Sequence, residues 1–531
     1  MKKMTKNTAL LLTAAAVLGA FGHSSAAQAA QTGDSLIANK ALYELRTEAG
    51  TGEYALRDGN LQSAAFRGPV SLLYDAKLKT YLAADTGNQR LRTISSGDTK
   101  TFAGLDIGLD DYQAPIGALA DGSAQSAAFN HPAGLAADGK GQIYVADSDN
   151  HAIRIINKDG SVQTLAGSGE LGSADGRNAD ARFYHPLDVA VTDEGIVYVA
   201  DTLNHVIRKI QNGSVTTLNA ASTRAVEYIP GAVEPAGDFA DGALKDAKFN
   251  EPSGLALDHA GNLYVSDTGN QRIRYIDFAK GTVTTVAGGG SAEATYAASS
   301  PYAEGGYADG KALNARFHAP RGLTVTPDGG VLIADSLNHV IRLLKSGVVT
   351  TVAGSAQEAG STNGVAYAAE LNRPTDVVWI GGSSFAIADA GGNKIRIAAP
   401  YALPSGVKAG SDAQILYNNA VLPSDAPPVV VKDSTFVPMR VLTEKLGFKV
   451  QYTGSKAILS RDGVSYTVQE GSLNVMKTTE GQSPQTLKLT SGPFLRQDRL
   501  YLPVRFFAQE IGLDVQWLSD VRAVLIRDKQ F

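Results

Sequence analysis

The hydrophobic pattern of this chain is a set of four short apolar runs that recurs many times. In one copy the runs are Gly134–Ala137, Ile143–Ala146, Ala152–Ile156 and Val162–Ala166. Across the copies each run spans four to six residues and is alternating or continuously apolar. This pattern is typical of strands in a sheet that is covered on both faces. It predicts a four-stranded sheet from each copy.

The second and third runs flank a motif that can be aligned along most of the chain. The motif begins with an Asp and ends with an Arg seven residues later, and its six aspartates are Asp85, Asp147, Asp201, Asp267, Asp335 and Asp389. Repeats of this size indicate a propeller or a solenoid. Six copies of four strands predict a mainly β fold, a six-bladed β-propeller.

The two ends of the repeated region complement each other. The sixth copy ends after Ile397 and runs into Pro400 without a fourth strand. Before the first copy, the segment from Leu45 to Gly50 matches the fourth strand of the second copy almost position for position. We therefore predict that the N-terminal strand closes the last blade, because an open solenoid would have no use for it.

These motifs resemble the NHL repeat. The resemblance rests on Phe-x-x-Pro-x-Gly-Leu-Ala followed by Tyr-Val-Ala-Asp-x-x-Asn-His-x-Ile-Arg, and it extends over residues 43–398. It implies a propeller that in most relatives is a binding platform for protein, nucleic acid or small ligands. A minority of NHL-like propellers are enzymes, such as peptidyl-amidoglycolate lyases and lactonase-like hydrolases. The repeat alone does not choose between these classes.

A different unit, made twice, follows the repeats. The segment from Phe436 to Tyr452 returns 65 residues later and ends at Trp517. Each copy predicts a strand, a short amphipathic helix, a glycine that ends the helix, and a second strand. We place the domain boundary near residue 405 and predict a small duplicated α+β domain over residues 405–531.

This domain resembles the copper amine oxidase N-terminal-like domain, also called a stalk domain, of exported Gram-positive bacterial proteins. The resemblance covers residues 413–528 and includes the segments Val437-Pro-Met-Arg, Tyr501-Leu-Pro-Val-Arg and Ala523-Val-Leu-Ile. The oxidase chemistry of that family belongs to a separate domain, with histidines that hold copper and a Tyr after an Asn that becomes a quinone. Residues 405–531 contain no His, and the chain contains no Asn-Tyr pair. We therefore reject copper and a quinone cofactor.

The N-terminus has the pattern of a cleaved signal peptide. Three lysines within Met1–Lys6 precede a weakly apolar run of 13 residues, which is too short to span a bilayer. Ala27-Gln28-Ala29 supplies a small-x-small cleavage pattern, so we predict a signal peptide over residues 1–29 and a propeller over residues 30–404. With no Cys in the chain, disulfides and a lipoprotein anchor are excluded. The protein is predicted to be secreted or envelope-associated, with no transmembrane segment after signal removal.

The charge of the chain limits the kinds of partner that we expect it to bind. The net charge is -5, from 48 basic and 53 acidic residues, and no Lys/Arg run appears, so nucleic acid is an unexpected partner. Residues 405–531 carry 15 basic and 12 acidic residues, a charge of +3. Removing that charge and the three signal lysines leaves -11 for the propeller segment. We expect a monomer whose partner is a cell-wall component, an extracellular protein or a small ligand.

Residues that recur in every copy are interpreted as structural. A side chain that catalysis needs once would not be required in six blades, so the repeated Asp and Arg are predicted to fix the turns or tie blades together. Turn chemistry is also predicted for the Ala-Asp-Gly triplets, at Asp121, Asp175, Asp241 and Asp309. Capping of the turn between the second and third strands is predicted for the column Gln89, His151, His205, Gln271, His339 and Lys394.

The residue before each Pro differs between blades, and a functional site must break the symmetry of a repeat. This column consists of Gly68, His131, His185, Glu251, Ala319 and Arg373. It lies at the entrance to the innermost strand, near the central axis. His131, His185 and Glu251 form a ligand set known from divalent-metal sites, zinc above all. The alternative is that His is a common residue before Pro in such repeats.

Two functions follow from these residues. The preferred one is an exported, non-enzymatic binding propeller that its C-terminal domain attaches to the cell envelope, with ligand contacts from His131, His185, Glu251 and Arg373 and no cofactor. The alternative is a metal-dependent lyase or lactonase-like hydrolase. Its metal would be held on the propeller axis by the two histidines and Glu251, and Arg373 would steady a substrate carboxylate.

Overall fold

A computed structural model of the chain divides it into two compact units, Met1–Pro400 and Tyr401–Phe531. The predicted signal peptide lies outside the residues that the structure describes. Described are residues 42–528 except 230, 290–293, 298, 366–367, 405, 408–412, 419, 432–433, 454–455, 505, 507–509, 511 and 519–521.

Unit 1 is built from six antiparallel sheets of five strands, which we number as blades in chain order. From the outermost to the innermost strand they are Gly59–Asn60, Asp98–Ala103, Arg90–Ser95, Thr80–Asp85 and Pro69–Asp75 in blade 1; Gly122–Ser123, Ser161–Ala166, Ala152–Ile156, Ile143–Asp147 and Pro132–Ala137 in blade 2; Gly176–Arg177, Ser214–Thr217, Val206–Gln211, Val197–Asp201 and Pro186–Val191 in blade 3; Gly242–Ala243, Thr282–Ala287, Arg272–Asp277, Leu263–Asp267 and Pro252–Leu257 in blade 4; Gly310–Lys311, Val348–Ala353, Val340–Lys345, Val331–Asp335 and Pro320–Val325 in blade 5; and Gly364–Val365, Leu42–Ala49, Lys394–Tyr401, Ser384–Asp389 and Pro374–Gly381 in blade 6.

Short turns and one extra hairpin complete this unit. Counted from the innermost strand, the second and third strands of each blade are joined by a single 3-10 turn: Thr86–Asn88, Ser148–Asn150, Thr202–Asn204, Thr268–Asn270, Ser336–Asn338 and Ala390–Gly392. A further 3-10 turn spans Ala312–Asn314, and a hairpin of Ala225–Ile229 and Ala232–Pro235 follows blade 3.

The fifth, outermost strand of each blade was not predicted. It is two residues long and begins at the Gly of the Ala-Asp-Gly triplet or its equivalent. In blade 2 it pairs through Gly122 with Val162 and through Ser123 with Ser161. A two-residue strand has no room for an apolar period, so the hydrophobic pattern could not reveal it.

The innermost strands contact one another in cyclic order, and Pro374–Gly381 contacts Pro69–Asp75 to complete the ring. The N-terminal strand Leu42–Ala49 lies between Lys394–Tyr401 and Gly364–Val365, as predicted. The fold is therefore a β-propeller whose last sheet contains both ends of the repeated region. Closure by strand pairing leaves few exposed strand edges in the ring.

The propeller core lies between neighbouring blades. One apolar cluster joins Leu82 of blade 1 to Ile143 of blade 2 and to Phe129, which comes shortly before the innermost strand of blade 2. Comparable clusters occupy the other five interfaces between blades. Both faces of each sheet are thus covered, which explains why the strands are nearly continuous in apolar residues rather than strictly alternating.

The repeated Asp and Arg hold each blade together, in agreement with their structural interpretation. Arg154 is fully buried and donates hydrogen bonds to Asp147 Oδ2 at 2.6 Å and to the carbonyl oxygens of Ala128 and Ala120. The same guanidinium donates to Asp121 Oδ1 at 2.8 Å. The Asp of the Ala-Asp-Gly triplet is therefore a second anionic partner of the buried Arg, a role that its interpretation as turn chemistry did not include.

Unit 2 contains three sheets and one described helix, Met439–Lys445, at the position predicted for the first copy. Its sheets are Ala420–Leu422, Gln414–Tyr417, Ala523–Asp528 and Leu513–Leu518; Val429–Val431, Ser434–Pro438, Arg499–Pro503 and Phe494–Arg496; and Lys449–Thr453, Lys456–Arg461, Val464–Gln469, Asn474–Thr479 and Gln485–Lys488. The helix predicted for the second copy falls largely on residues outside the description.

The duplication in unit 2 is visible in its strand pairing. Val437 of the first copy pairs with Leu502 of the second, and both side chains lie in the same apolar core. Gly447 and Gly512 adopt φ of 74° and 72°, so each copy has its glycine in the left-handed region that ends a helix. Among the described residues of the whole chain, no helix is long and apolar enough to cross a membrane.

Candidate ligand site in the propeller channel

A cavity occupies the channel inside the ring of innermost strands. Each of these strands begins at a Pro, and the residue that follows the Pro lines the cavity in every blade: Val70, Ala133, Leu187, Ser253, Arg321 and Thr375. The cavity has a volume of about 130 Å³ and is partly open to solvent. An apolar cavity of roughly 150 Å³ in another protein holds benzene, so a cavity of this size can hold a small molecule.

Arg321 is the charged member of this column. Its guanidinium makes no hydrogen bond or salt bridge within the described part of the chain, whereas the six repeated arginines are each held by several partners. Burial lowers the pKa of Arg321, and the charge of Glu251 opposes that shift. Arg321 thus presents a planar set of donors to the cavity, which suits a carboxylate or a phosphate.

Two aspartates stand one residue further along the innermost strands. Asp188 and Asp376 line the same cavity and belong to blades 3 and 6, which lie opposite each other in the ring. Neither carboxylate forms a salt bridge with a described residue. Burial raises the pKa of Asp376 to about 6, and burial together with the charge of Asp376 raises the pKa of Asp188 well above its ordinary value.

The neighbours of these aspartates are glycines because adjacent innermost strands approach closely. A Cβ on Gly134 would lie 2.2 Å from Asp188 Oδ1, and a Cβ on Gly322 would lie 2.3 Å from Asp376 Oδ1. Any other side chain there would collide with a carboxylate. The channel wall therefore depends on the Gly of the Pro-x-Gly motif in the blade that precedes each Asp.

His131 and His185, predicted to bind a ligand, do meet at this cavity. Both line it, and the Nδ1 atom of each lies 2.8 Å from an oxygen of Asp149. Asp149 lies in the turn Ser148–Asn150 of blade 2. The hydrogen bond between His131 and Asp149 raises the pKa of His131. The hydrogen bonds from the two histidines hold the pKa of Asp149 well below its usual range.

The other two predicted site residues are placed differently. Glu251 accepts a hydrogen bond from the Tyr302 hydroxyl at 2.9 Å. The carboxylate that contacts both histidines is that of Asp149 and not that of Glu251. Within the described ranges, no group of three or more His, Cys, Asp or Glu side chains could hold a metal ion. The predicted metal set is therefore not assembled there. Arg373 is exposed and is not among the residues that line the cavity.

The residues before each Pro share a left-handed backbone. Their φ values range from 48° at Glu251 to 62° at Gly68, a conformation that costs a non-Gly residue of order 1 kcal/mol. Each of their backbone N–H groups donates to a side chain of the preceding blade over 2.5–3.3 Å, and the acceptors are Gln89, His151, His205, Gln271, His339 and Asn393. These bonds tie successive blades together at the mouth of the channel.

This finding refines the predicted capping column. Five of its members are as expected, but the sixth is Asn393 rather than Lys394, because Asn393 is the residue four positions after its Asp. The column does more than cap its own turn, since each side chain accepts a hydrogen bond from the next blade. The bond from Gly68 to Asn393 Oδ1, at 3.0 Å, joins the first blade to the last.

One of these bonds is expected to break in acid. His205 accepts the N–H of Glu251 through Nδ1 at 3.0 Å, and burial lowers the pKa of His205 to about 4 from its ordinary 6.5. Protonation therefore favours the unfolded chain. The contribution of neutral His205 is fully present above pH 6.5 and is lost as the pH falls toward 4, by about 3 kcal/mol.

The matched variant is His205→Gln, because Gln already fills this position in blades 1 and 4 and does not titrate. Urea unfolding of both proteins between pH 8 and pH 4 should show that the wild type loses about 3 kcal/mol more than His205→Gln over that interval. Equal losses in the two proteins would show that His205 does not act as an acid-sensitive contact.

The fold and the closed ring define a β-propeller, and comparison with known families identifies its repeats. Residues 129–156 and 249–274 match the NHL repeat, and residues 412–526 match the copper amine oxidase N-terminal domain. The propeller therefore contains NHL repeats, and a copper amine oxidase N-terminal domain follows it in the chain.

Among curated proteins, the chain is 30% identical over 295 residues to the protein SUPPRESSOR OF QUENCHING 1, chloroplastic, of Arabidopsis thaliana; the alignment covers 44% of this chain and 27% of that protein. It is 32% identical over 171 residues to NHL repeat-containing protein 2 of Bos taurus, covering 30% of this chain and 22% of that protein. The chain thus spans about a quarter of the length of these relatives. An auxiliary nutrient binding protein from Bacteroides ovatus superposes with a TM-score of 0.48 at 15% identity, over 68% of this chain and 78% of that one.

Sequence reasoning missed Arg321, Asp188, Asp376 and Asp149. The first three were visible as breaks in a column, since the two positions after each Pro also differ between blades. Asp149 was also visible as a break in a column, since the same turn position holds Gly or Leu in the other five blades. Its contact with His185 was not predictable, because it depends on how the turn of one blade meets the next. The two histidines were found because they interrupt the column before Pro.

Proposed function

We propose that the protein binds a small polar ligand in the propeller channel and that Arg321 anchors an anionic group of that ligand. The observation that carries the proposal is a guanidinium that lines a cavity without a partner among the described residues. Desolvating a cation without pairing it is costly, and a ligand carboxylate or phosphate would supply the missing acceptors. The proposal includes no catalytic step.

The surroundings of Arg321 support a small ligand. The wall of the cavity is apolar at Val70, Ala133 and Leu187 and carries the hydroxyl groups of Ser71, Thr86, Ser148, Ser253 and Thr375. Apolar surface combined with polar groups that can orient a ligand is typical of a small-molecule site. At the mouth, His131 and His185 are held in place by Asp149, so their orientation does not depend on a ligand.

The test is a screen of the full chain against small carboxylates, phosphates, sugar acids and amino acids, read as thermal stabilisation and then as affinity by calorimetry. The variant Arg321→Gln should weaken binding of the best compound at least tenfold, the effect of about 1.4 kcal/mol. The matched control is Arg373→Gln, which removes an exposed Arg outside the cavity and should leave the affinity unchanged. Equal binding by wild type and Arg321→Gln would place the site elsewhere.

We also propose that the protein is exported and that residues 405–531 attach it to the cell envelope. The signal-like N-terminus and the charge difference between the segments, -11 against +3 as counted above, support this assignment. A positively charged domain is the better partner for anionic wall polymers. Residues 405–531 should sediment with purified cell wall while residues 30–404 stay in solution. Equal partition of the two fragments would contradict the attachment.

A further inference from the structure

The charged groups of the channel are separated by sign. The charge of the Glu251 carboxylate partly opposes the lowering of the Arg321 pKa by burial. Glu251 comes directly before Pro252, at the mouth of the channel. The charge that acts on Asp188 is that of Asp376, across the ring. The channel therefore has a cationic group on its wall toward the mouth and an anionic pair one residue further along the innermost strands.

The hydrogen bonds of the two aspartates leave acceptor capacity unused. Asp376 accepts bonds from the Ser71 hydroxyl, the Leu72 N–H and the Val377 N–H. A carboxylate has about four acceptor positions, so about one remains.

Asp188 has fewer partners. It accepts bonds only from the N–H groups of Val189 and Leu255 among the described residues, which leaves about two positions. The donors named for both aspartates are neutral backbone or hydroxyl groups, so they orient the carboxylates without neutralising them.

Two facing carboxylates without a cation repel each other, and burial adds to the cost. A single ammonium group removes both penalties, because it carries one positive charge and three donors. The backbone bonds already fix the direction of each carboxylate, so little further ordering is needed when a cation enters.

Resting on the proposed function, we propose that the ligand is an amino-acid-sized zwitterion, with its ammonium between Asp188 and Asp376 and its carboxylate on Arg321. The apolar wall at Val70 and Leu187 would receive an aliphatic part of the molecule. The assignment uses every charged group that lines the channel beyond the His131 and His185 mouth.

The experiment is calorimetry of the full chain with the common amino acids, followed by the N-acetyl and amide derivatives of the strongest binder. Both derivatives should bind at least tenfold more weakly than the parent. The variant Asp188→Asn should weaken binding of the parent amino acid at least tenfold and leave the affinity for the N-acetyl derivative unchanged. Its control is Asp193→Asn, an exposed Asp at the far end of the same hairpin, which should bind like the wild type.

The derivatives test the assignment on the wild-type protein, so the result does not depend on how a variant folds. If the N-acetyl derivative binds as tightly as the parent and still requires Arg321, the proposed function stands and the zwitterion is overturned. If no amino acid binds, or if calcium chloride alone stabilises the protein and Asp188→Asn abolishes that effect, the zwitterion is also overturned. If zwitterions bind and Arg321→Gln has no effect, the proposed role of Arg321 fails.

Discussion

Replacing Arg154 by Met is expected to lower the free energy of unfolding by about 3–5 kcal/mol. The guanidinium is fully buried and donates to Asp147, to Asp121 and to two backbone carbonyls. Met fills a similar volume but leaves the buried carboxylate of Asp147 without a counter-ion. Removing one partner of a buried pair costs far more than the pair contributes in total. Urea unfolding at neutral pH measures the loss.

The control for this prediction is Arg182→Met. Arg182 pairs with Glu170 at 2.7 Å, and both side chains are exposed. A surface pair of this kind contributes about 0–1 kcal/mol, so the control should lose at most that amount. A loss below 1 kcal/mol for Arg154→Met, equal to the control, would mean that the repeated Asp–Arg contacts do not hold the blades.

Removing the N-terminal strand should destabilise the propeller by more than about 4 kcal/mol. Tyr43 and Leu45 are 2% and 1% exposed, in a core that they share with Leu332 and Phe385. Deleting such side chains costs about 2–5 kcal/mol each, and the deletion also exposes the edges of two strands. The comparison is between a chain that begins at residue 50 and one that begins at Leu42.

Trp379 lies in Pro374–Gly381 of the last blade and packs against the same core, so its fluorescence reports on this sheet. The chain that begins at residue 50 should unfold at a much lower urea concentration than the one that begins at Leu42. Coincident unfolding curves would show that closure of the ring does not require the N-terminal strand.

The fold could be predicted because its signals are local and repeated. Four apolar runs per copy, a recurring Asp and Arg, and a displaced fourth strand near Leu45 were enough for the propeller and its closure. The helix at Met439–Lys445 and the left-handed Gly447 followed from ordinary helix start and stop signals. None of these inferences required knowing which blades face each other.

The site could be predicted only in part, because its contacts depend on tertiary placement. His131 and His185 were found as breaks in a repeated column. Glu251 was assigned to the same set because it follows them in that column, but Tyr302, from the segment between blades 4 and 5, donates to its carboxylate. Asp188 and Asp376 come from blades 3 and 6, on opposite sides of the ring, and no local pattern signals that they line the same cavity.

The most direct test of the channel as the ligand site is a crystal structure of the full chain with the strongest binder from the small-molecule screen. The account predicts ligand density inside the ring of innermost strands, with an anionic group in hydrogen-bond contact with the Arg321 guanidinium. Density on the outer loops or on unit 2, with an empty channel, would contradict it.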